Sequence, residues 1–515
     1  MAIELTDEQK KIVEEAKKGG VIIVNAFAGT GKTTTCLAVA EQSVKDKKKT
    51  LYLVFNNSVS KEIARKTKKI EGFDKEFFEV KTVHGLAYKE LARTGYFKNR
   101  EIANIKVKDV SYLLDVSYQE AFWILEFFNF FLYSAYDFNS IDKFVSETIK
   151  KSRRFRLGFE ILSKNSIDLQ KVLENLVNAI REKRMPLTHD FYLKDYLFNY
   201  LDKSKTAYDT VILDESQDAN PLFIKLLKLL KPQTLLLVGD RHQRIYQFRN
   251  TVEAYNFFTK KKLLYLTQTF RFGENISSLA NNVLSRKGET ETIKPAPVPK
   301  KVEKENAVIS FTNSELLSYY LHASKSERKF FTFERDIETI IKPVMTILFM
   351  EERDINDDYI SVPSKLLDYS ILNSFTTYEQ LESYVEKLIE MHEENKYDDD
   401  ISFTSDRELI AAYFLSQKLT YKKLLDILDD YESNKREKKT TYLSTAHSVK
   451  GLEYNKVLLL SDFADSIEKM KDITMSLNLL YVAITRATHE VNSLIDIDKI
   501  ISKLKGEDKE ELKCT

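Results

Sequence analysis

The stretch NAFAGTGKTTT (25–35) decides how the rest of the chain is read. It follows an apolar run, VIIVNAFAG (21–29), and precedes KTTTCLAVAEQSVK (32–45), so it predicts a strand, a glycine-rich turn and a helix. At such a turn, backbone N–H groups and the helix N-terminus embrace phosphate oxygens. On this reading Ala28, Gly29, Thr30, Gly31 and Thr34 form the cradle, Lys32 reaches the outer phosphates and Thr33 offers an oxygen to Mg²⁺. The first glycine of the general pattern is replaced by Ala26.

A second apolar strand, VILDESQD (211–218), ends in Asp214 and Glu215. One carboxylate is expected near Mg²⁺ and the other beside an attacking water. Two carboxylates after a strand also serve as helix caps, and the upstream loop is what turns the reading toward chemistry. Together the two stretches predict ATP hydrolysis with ATP and Mg²⁺ as cofactors. VGDRHQRIYQFRN (238–250) follows one strand later and places Gln243 to sense the outermost phosphate.

Outward from these motifs, the chain alternates helix and strand. LTDEQKKIVEEAKK (5–18) is a helix with Thr6 as N-cap and Gln9 completing a capping box. TLYLVF (50–55) and TLLLVGD (234–240) are further strands of parallel-sheet character. AVISFTN (307–313), TYLSTAH (441–447) and KVLLLSD (456–462) belong to a second sheet, set off by the Pro-rich, charged connector KPAPVPKKVEKE (294–305). The expected fold class is α/β, two doubly wound parallel-sheet domains of RecA-like type, each with a mainly helical insertion. The expected boundaries are 1–94, 206–262 for the first domain with its insertion at 95–205; 263–344 and 441–515 for the second with a reduced insertion at 345–440.

Composition limits the alternatives. The 515 residues suffice for several cores, and 43% hydrophobic with 30% charged residues is ordinary for a globular protein. A net charge of +1 gives no bulk attraction to nucleic acid, so a local groove would have to supply it. Two cysteines, Cys36 and Cys514, point to a reducing, cytoplasmic setting without a disulfide framework. No signal peptide is read, and the most apolar window, AFWILEFFNFFLYSAY (121–136), is too short for a bilayer and is expected to be a buried helix.

The ordered set of motifs, continued by LTQTFRFGENI (266–276), STAHSVKGLEYNKV (444–457) and LLYVAITRAT (479–488), resembles the superfamily 1 DNA helicases of the UvrD/PcrA/Rep-like group. MPLTHDFYLK (185–194) and YDTVILDESQDANP (208–221) resemble in particular the F-box DNA helicase branch, without an apparent F-box. The resemblance spans residues 3–495. It implies that Gln9 reads the adenine edge, Phe270 stacks on adenine and Glu453 lies near the ribose. It also implies that Arg271 and Arg486 close on the γ-phosphate from the second domain. Phe55, Asn57, Thr82, His84, Tyr246, Phe248, Arg249, His447 and Lys450 match positions where the family holds single-stranded DNA by stacking and short polar contacts. For Phe55, Phe248 and Tyr246, a core role stands beside the platform role.

The resemblance further implies 3′-to-5′ movement on single strands and at single/double-strand junctions, with duplex unwinding. Two rivals remain open: a translocase that strips proteins, and a motor subunit serving a partner nuclease, loader or single-strand binding protein. RNA is a weaker substrate alternative. Phe248 replaces the family's platform tryptophan, and MSLNLL (475–480) lacks the basic residues usual before the tyrosine of the arginine motif. KKSRRFRLGF (150–159) is either a solvated helix face or a duplex contact.

Overall fold

The computed structural model of the chain describes residues 4–68, 70, 73–201, 207–246, 250–355, 362–393, 403–468, 473–497 and 500. Phe248, Arg249 and Cys514 lie outside them. The chain divides into two compact units, Met1–Thr267 and Gln268–Thr515.

The first unit is built on six strands, β1 (Gly20–Ala26), β2 (Thr50–Val54), β3 (Phe78–Thr82), β4 (Thr210–Asp214), β5 (Thr234–Gly239) and β6 (Lys262–Leu266). They lie in the order β3-β2-β4-β5-β1-β6, every neighbouring pair parallel. β2, β4 and β5 are buried throughout, as continuous apolar runs require in a sheet covered on both faces. Ile22, Val24, Ile212, Leu236 and Val238 pack there against Ile12 and Ala16 of the helix Asp7–Lys18 and against Cys36, Val39 and Ala40 of the helix Lys32–Lys45. Thr6 and Gln9 form the expected capping box.

Register fixes the site. Asn25 pairs with Gly239 and Asp214 with Val238, so the ends of β1, β4 and β5 stand side by side at one edge of the sheet. Ligands of open parallel sheets bind at this carboxyl edge.

The division between the units differs from the expected position 262. β6 pairs with β1 from Ile22↔Lys262 to Ala26↔Leu266, so the first sheet keeps this strand and the break falls after Thr267. Its sequence, KLLYL, begins exposed and ends buried, as an edge strand does.

Between β3 and β4, six helices from Val107–Leu114 to His189–Asp195 form the insertion. The apolar window is the helix Tyr118–Tyr133, a core element with Trp123, Phe127, Phe128 and Phe131 buried. Its C-terminal carbonyls have no partner within the helix. Lys194, fully buried, supplies one: its Nζ donates to Phe131 O at 2.8 Å and Ser134 O at 2.9 Å. Burial holds that ammonium well below the usual lysine range.

In the basic run at 150–159, Lys150, Lys151 and Arg156 form a solvated face, while Arg154 and Phe155 turn inward. Arg154 pairs with Glu126 at 2.8 Å and lies 5.1 Å over Trp123, while Phe155 is buried. A Cβ at Gly158 would meet the Trp123 ring at 2.4 Å, so glycine lets these helices pack closely. No helix among the described residues is long and apolar enough to cross a membrane.

The second unit carries β7 (Asn306–Ser310), β8 (Phe331–Phe333), β9 (Thr441–Thr445), β10 (Tyr454–Leu459) and β11 (Ala487–Ser493). Their order is β11-β10-β7-β9-β8, again all parallel. Its insertion, between β8 and β9, starts with the helix Ile337–Ile355 rather than at 345, because Ile337, Ile340 and Ile341 already face the core.

Candidate functional site

Gly29 (φ 75°) and Gly31 (φ 79°) both adopt the left-handed conformation, which a side chain would strain. They turn the chain from β1 into the helix Lys32–Lys45, whose N-cap is Gly31, with no side chain capping it. Thr30 Oγ1 donates to Phe27 O at 2.7 Å and pins the turn. The chain thus presents a helix N-terminus on a bare glycine turn, the geometry that favours an anion. Ala28 and Thr30 are buried within it, and Thr34 is half-buried.

The two motifs meet. Lys32 Nζ donates to Glu215 Oε2 at 2.9 Å, and Thr33 Oγ1 to Asp214 Oδ2 at 3.0 Å. Asp214 Oδ2 also accepts from Tyr52 OH at 2.9 Å. Burial, and then the neighbouring Glu215 charge, push the Asp214 carboxyl up to about 6, against Lys32, Tyr52 and Thr33. Lys32 stays charged: burial opposes the ammonium, but Glu215, Asp240 and Asp214 raise it above its ordinary value. Glu215 itself sits at φ 57°, a left-handed backbone rare for a non-glycine residue.

A second tier holds these groups. Gln217 Nε2 donates to Glu215 Oε2 at 2.7 Å, and Gln217 Oε1 accepts from Asp240 N at 3.0 Å. Gln243 Nε2 donates to Asp240 Oδ2 at 2.8 Å, so Gln243 is tied to the same network. A Cβ on Gly239 would lie 2.4 Å from Gln217 Oε1, so the end of β5 must be glycine for Gln217 to pass. Sequence reading missed Tyr52, Gln217 and Asp240. The last two stand inside VILDESQD and VGDRHQR, but only strand register shows that they face one another.

The chemistry of the donors suits a hard cation shared with phosphates. Thr33 and Asp214 offer two oxygens, and among the described residues no group of three His, Cys, Asp or Glu could hold a metal alone. That set suits a divalent cation that takes one or two protein oxygens and completes its shell from water and substrate phosphate. Cys36, buried beneath the site, has its thiol pushed well up by burial and is no reactive thiolate. Gln9 is buried, with its Oε1 accepting from Thr6 N at 3.0 Å in the capping box.

Of the residues matched to single-strand contact in the first unit, Phe55 and His84 gather around Phe223, with ring centroids 5.6 and 5.9 Å away. Phe223 was not foreseen. His84 Nε2 is 2.9 Å from Asp190 Oδ1. Thr82 caps the helix Val83–Ala92 through Gly85 N, and Asn57 is exposed at the start of the helix Asn57–Thr67. Tyr246 is half-buried.

In the second unit, Arg271 Nε donates to Glu453 Oε1 at 2.9 Å and Nη1 to Thr485 O at 2.9 Å. Lys300 reaches the other Glu453 oxygen at 2.6 Å. Burial would raise the Glu453 carboxyl, but Arg271 and Lys300 bring it below its ordinary value. Arg486 is buried, with Nε donating to Val482 O at 2.9 Å. Phe270 stands exposed beside Arg271. His447 and Lys450 are half-buried in the turn after β9, which ends at Gly451 with φ 88°.

Two RecA-like parallel sheets, one bearing a phosphate-binding turn faced by paired carboxylates, define a P-loop motor protein. An AAA-domain family model matches residues 9–249 and a UvrD-like helicase C-terminal domain model matches residues 440–492. Both matches make the chain similar to the superfamily 1 UvrD-like helicases. It is 28% identical to F-box DNA helicase protein 1 of Schizosaccharomyces pombe, over 94% of this chain and 56% of that protein. With F-box DNA helicase 1 of Gallus gallus the identity is 25%, over 94% and 48%. The chain therefore spans about half the length of these two relatives. With the Gabija protein GajB of Bacillus cereus it shares 24% identity over 94% of both chains.

Proposed function

We propose that the chain is an ATP- and Mg²⁺-dependent DNA helicase or translocase that moves 3′-to-5′ on single-stranded DNA and unwinds duplex at single/double-strand junctions. The observation that supports this most is the convergence of Lys32, Thr33, Asp214, Glu215 and Gln217 at one sheet edge. ATP supplies the bond to be hydrolysed, and a divalent cation supplies charge neutralisation, with Thr33 Oγ1 and Asp214 as its protein ligands. Lys32 would exchange its partner from Glu215 to phosphate oxygen. Glu215, held through Gln217, is then released to accept the proton of the attacking water. Its left-handed backbone keeps the carboxylate at the turn where both partners meet it.

To Arg271 and Arg486 we assign neutralisation of charge developing on the phosphate, and to Phe270 and Gln9 recognition of adenine. Glu453 positions Arg271 through the ion pair at 2.8 Å. Phe55 (backed by Phe223), Tyr246 and Phe248 serve as stacking rings, with Asn57, Thr82, His84, Arg249, His447 and Lys450 as polar contacts. The decisive assay is strand displacement on partial duplexes with 3′ or 5′ single-stranded tails. ATP-dependent displacement from the 3′-tailed substrate supports the reading. Single-strand-stimulated ATPase without displacement makes the chain a translocase, or the motor of a larger assembly with a protein partner. Absence of both rejects it.

A further inference from the structure

A concavity of about 590 Å³ opens in the helical insertion, and none of the residues around Lys32 lines it. Its walls come from two chain segments. Tyr96, Lys98 and Arg100 face Arg181, Lys183 and Tyr200. The segments are tied to one another: Ile102 bridges Leu187, and Leu187 N donates to Glu101 O at 2.8 Å. Arg100 Nη1 donates to Ile180 O at 3.0 Å, and Lys183 Nζ to Lys98 O at 3.3 Å. The cavity is therefore built into the fold.

Four cationic residues line it beside one acid, Asp195, and the Arg181 guanidinium also lies 4.8 Å over the Phe138 ring. That carboxylate is already engaged by Tyr96 OH at 2.6 Å and Asn199 Nδ2 at 2.7 Å, within the wall. Asn199 and Tyr200 of the lining belong to a π-helical turn, Tyr196–Tyr200, a rare element that occurs frequently at functional sites. Gly95, Asn99 and Lys183 in the lining all take left-handed backbones, which mark sharp turns of the chain there. Tyr96 and Tyr200 meet edge-on at 5.7 Å and add apolar surface among the charges. The volume falls in the range of small-ligand sites, roughly 300–1,000 Å³.

We propose that this cavity binds the terminal phosphates of a nucleotide, with Lys98, Arg100, Arg181 and Lys183 taking the phosphate charge and the two tyrosines contacting the attached sugar or base. A concave cluster of cations suits concentrated charge better than a strand running past, whose phosphates would need an extended stripe. The same chemistry is offered by a free nucleoside triphosphate and by the phosphorylated end of a DNA strand.

The test uses the full chain with Lys32→Ala, which weakens nucleotide binding at the phosphate turn, with and without Lys98→Glu/Lys183→Glu. One arm titrates fluorescent ATP; the other compares single strands ending in 5′-phosphate or 5′-hydroxyl. Charge reversal should weaken the free nucleotide, or the phosphorylated end alone, by roughly tenfold or more. Whichever arm responds names the source. The milder Lys98→Gln/Lys183→Gln pair should show a smaller loss of the same kind, which separates the effect from misfolding. Changes within about 2-fold in both arms overturn the proposal. So does equal weakening of phosphate and hydroxyl ends without loss of free nucleotide. DNA-stimulated ATPase of Lys98→Glu/Lys183→Glu alone, with Lys32 intact, reports on the catalytic reading separately.

Discussion

The turn after the first strand of each sheet is built on one plan and finished in two ways. After β1, the chain reaches the helix Lys32–Lys45 through Gly29 and Gly31 and starts it with no side-chain cap. After β7, it reaches the helix Asn313–His322 through Phe311 and Thr312, and carboxylates of the chain itself fill the turn. Asp462 Oδ2 accepts from Phe311 N and Thr312 N, each at 2.9 Å. Glu408 accepts from Asn313 N at 2.8 Å and Ser314 N at 3.1 Å. A helix N-terminus attracts an anion in either unit. In the second unit carboxyl groups of the chain itself take that place; in the first, the glycine turn and Lys32 are suited to an anion from outside. Among the described residues, the first turn sets Lys32 against paired carboxylates, and the second is filled by carboxyl groups from its own unit.

Lys32→Ala attacks the first turn. ATP turnover should fall by roughly 10²–10³-fold, as when one charge-stabilising donor is lost. Thermal stability should change little, since Lys32 pairs with a Glu215 whose side chain is 43% exposed. Turnover near wild type would remove the distinction between the two turns.

Asp462→Ala attacks the second. Two backbone N–H groups lose their acceptor, and the chain should lose about 2–4 kcal/mol of stability, read by denaturant unfolding of the second unit. Nucleotide affinity at the first turn should be unchanged. An equal loss of affinity would mean that the two turns are not independent.

Protonation sharpens the contrast. Burial pushes the Asp462 carboxyl up to about 7, with Glu315 adding to the rise and the N–H groups of Phe311 and Thr312 opposing it. Glu408, half-buried, is raised as well by loss of solvent around its carboxyl. The folded chain then keeps a proton that an unfolded aspartate releases near pH ~3.9. The resulting stabilisation is complete below that value and is lost as pH rises through about 7. Asp462→Asn should flatten the decline in stability between about pH 4 and about pH 7, measured by urea unfolding, and Glu408→Gln should remove part of what remains. An unchanged slope in both variants would show that the internal anions stay ionised.

Smaller effects are expected at the caps. Thr312 Oγ1 accepts from Glu315 N at 3.2 Å, so Thr312→Ala should cost about 1 kcal/mol. Gly31→Ala forces a side chain into the left-handed region and should cost roughly 1–2 kcal/mol, with a larger effect on phosphate binding.

Much of the first turn was legible because its chemistry is local: strand, glycines, Lys32 and Thr33 lie within one short stretch. The buried strands were legible as unbroken apolar runs. β3, β6, β8 and β11 were not. FEVKT is only half-buried, FTF has three residues, and ATHEVNS is polar along an edge. The partners of the reacting groups were illegible for another reason. Tyr52 reaches Asp214 because β2 lies beside β4, and Gln217 reaches Asp240 because β4 lies beside β5. Strand order is a property of the whole sheet, which no single stretch carries. The internal anions of the second turn come from β10's end and from the insertion, far along the chain, so nothing near Thr312 announces them.

The central claim is that Glu215 acts on the water while Lys32 and the glycine turn hold the nucleotide. Glu215→Gln keeps the shape of the side chain and removes its basicity. ATP affinity and single-strand-stimulated ATP turnover, measured on one preparation of this variant, test the claim directly. Affinity should stay within about threefold of the wild type while turnover falls by roughly 10²-fold or more. Turnover at the wild-type level would contradict the account, and so would loss of nucleotide binding in a variant that still folds.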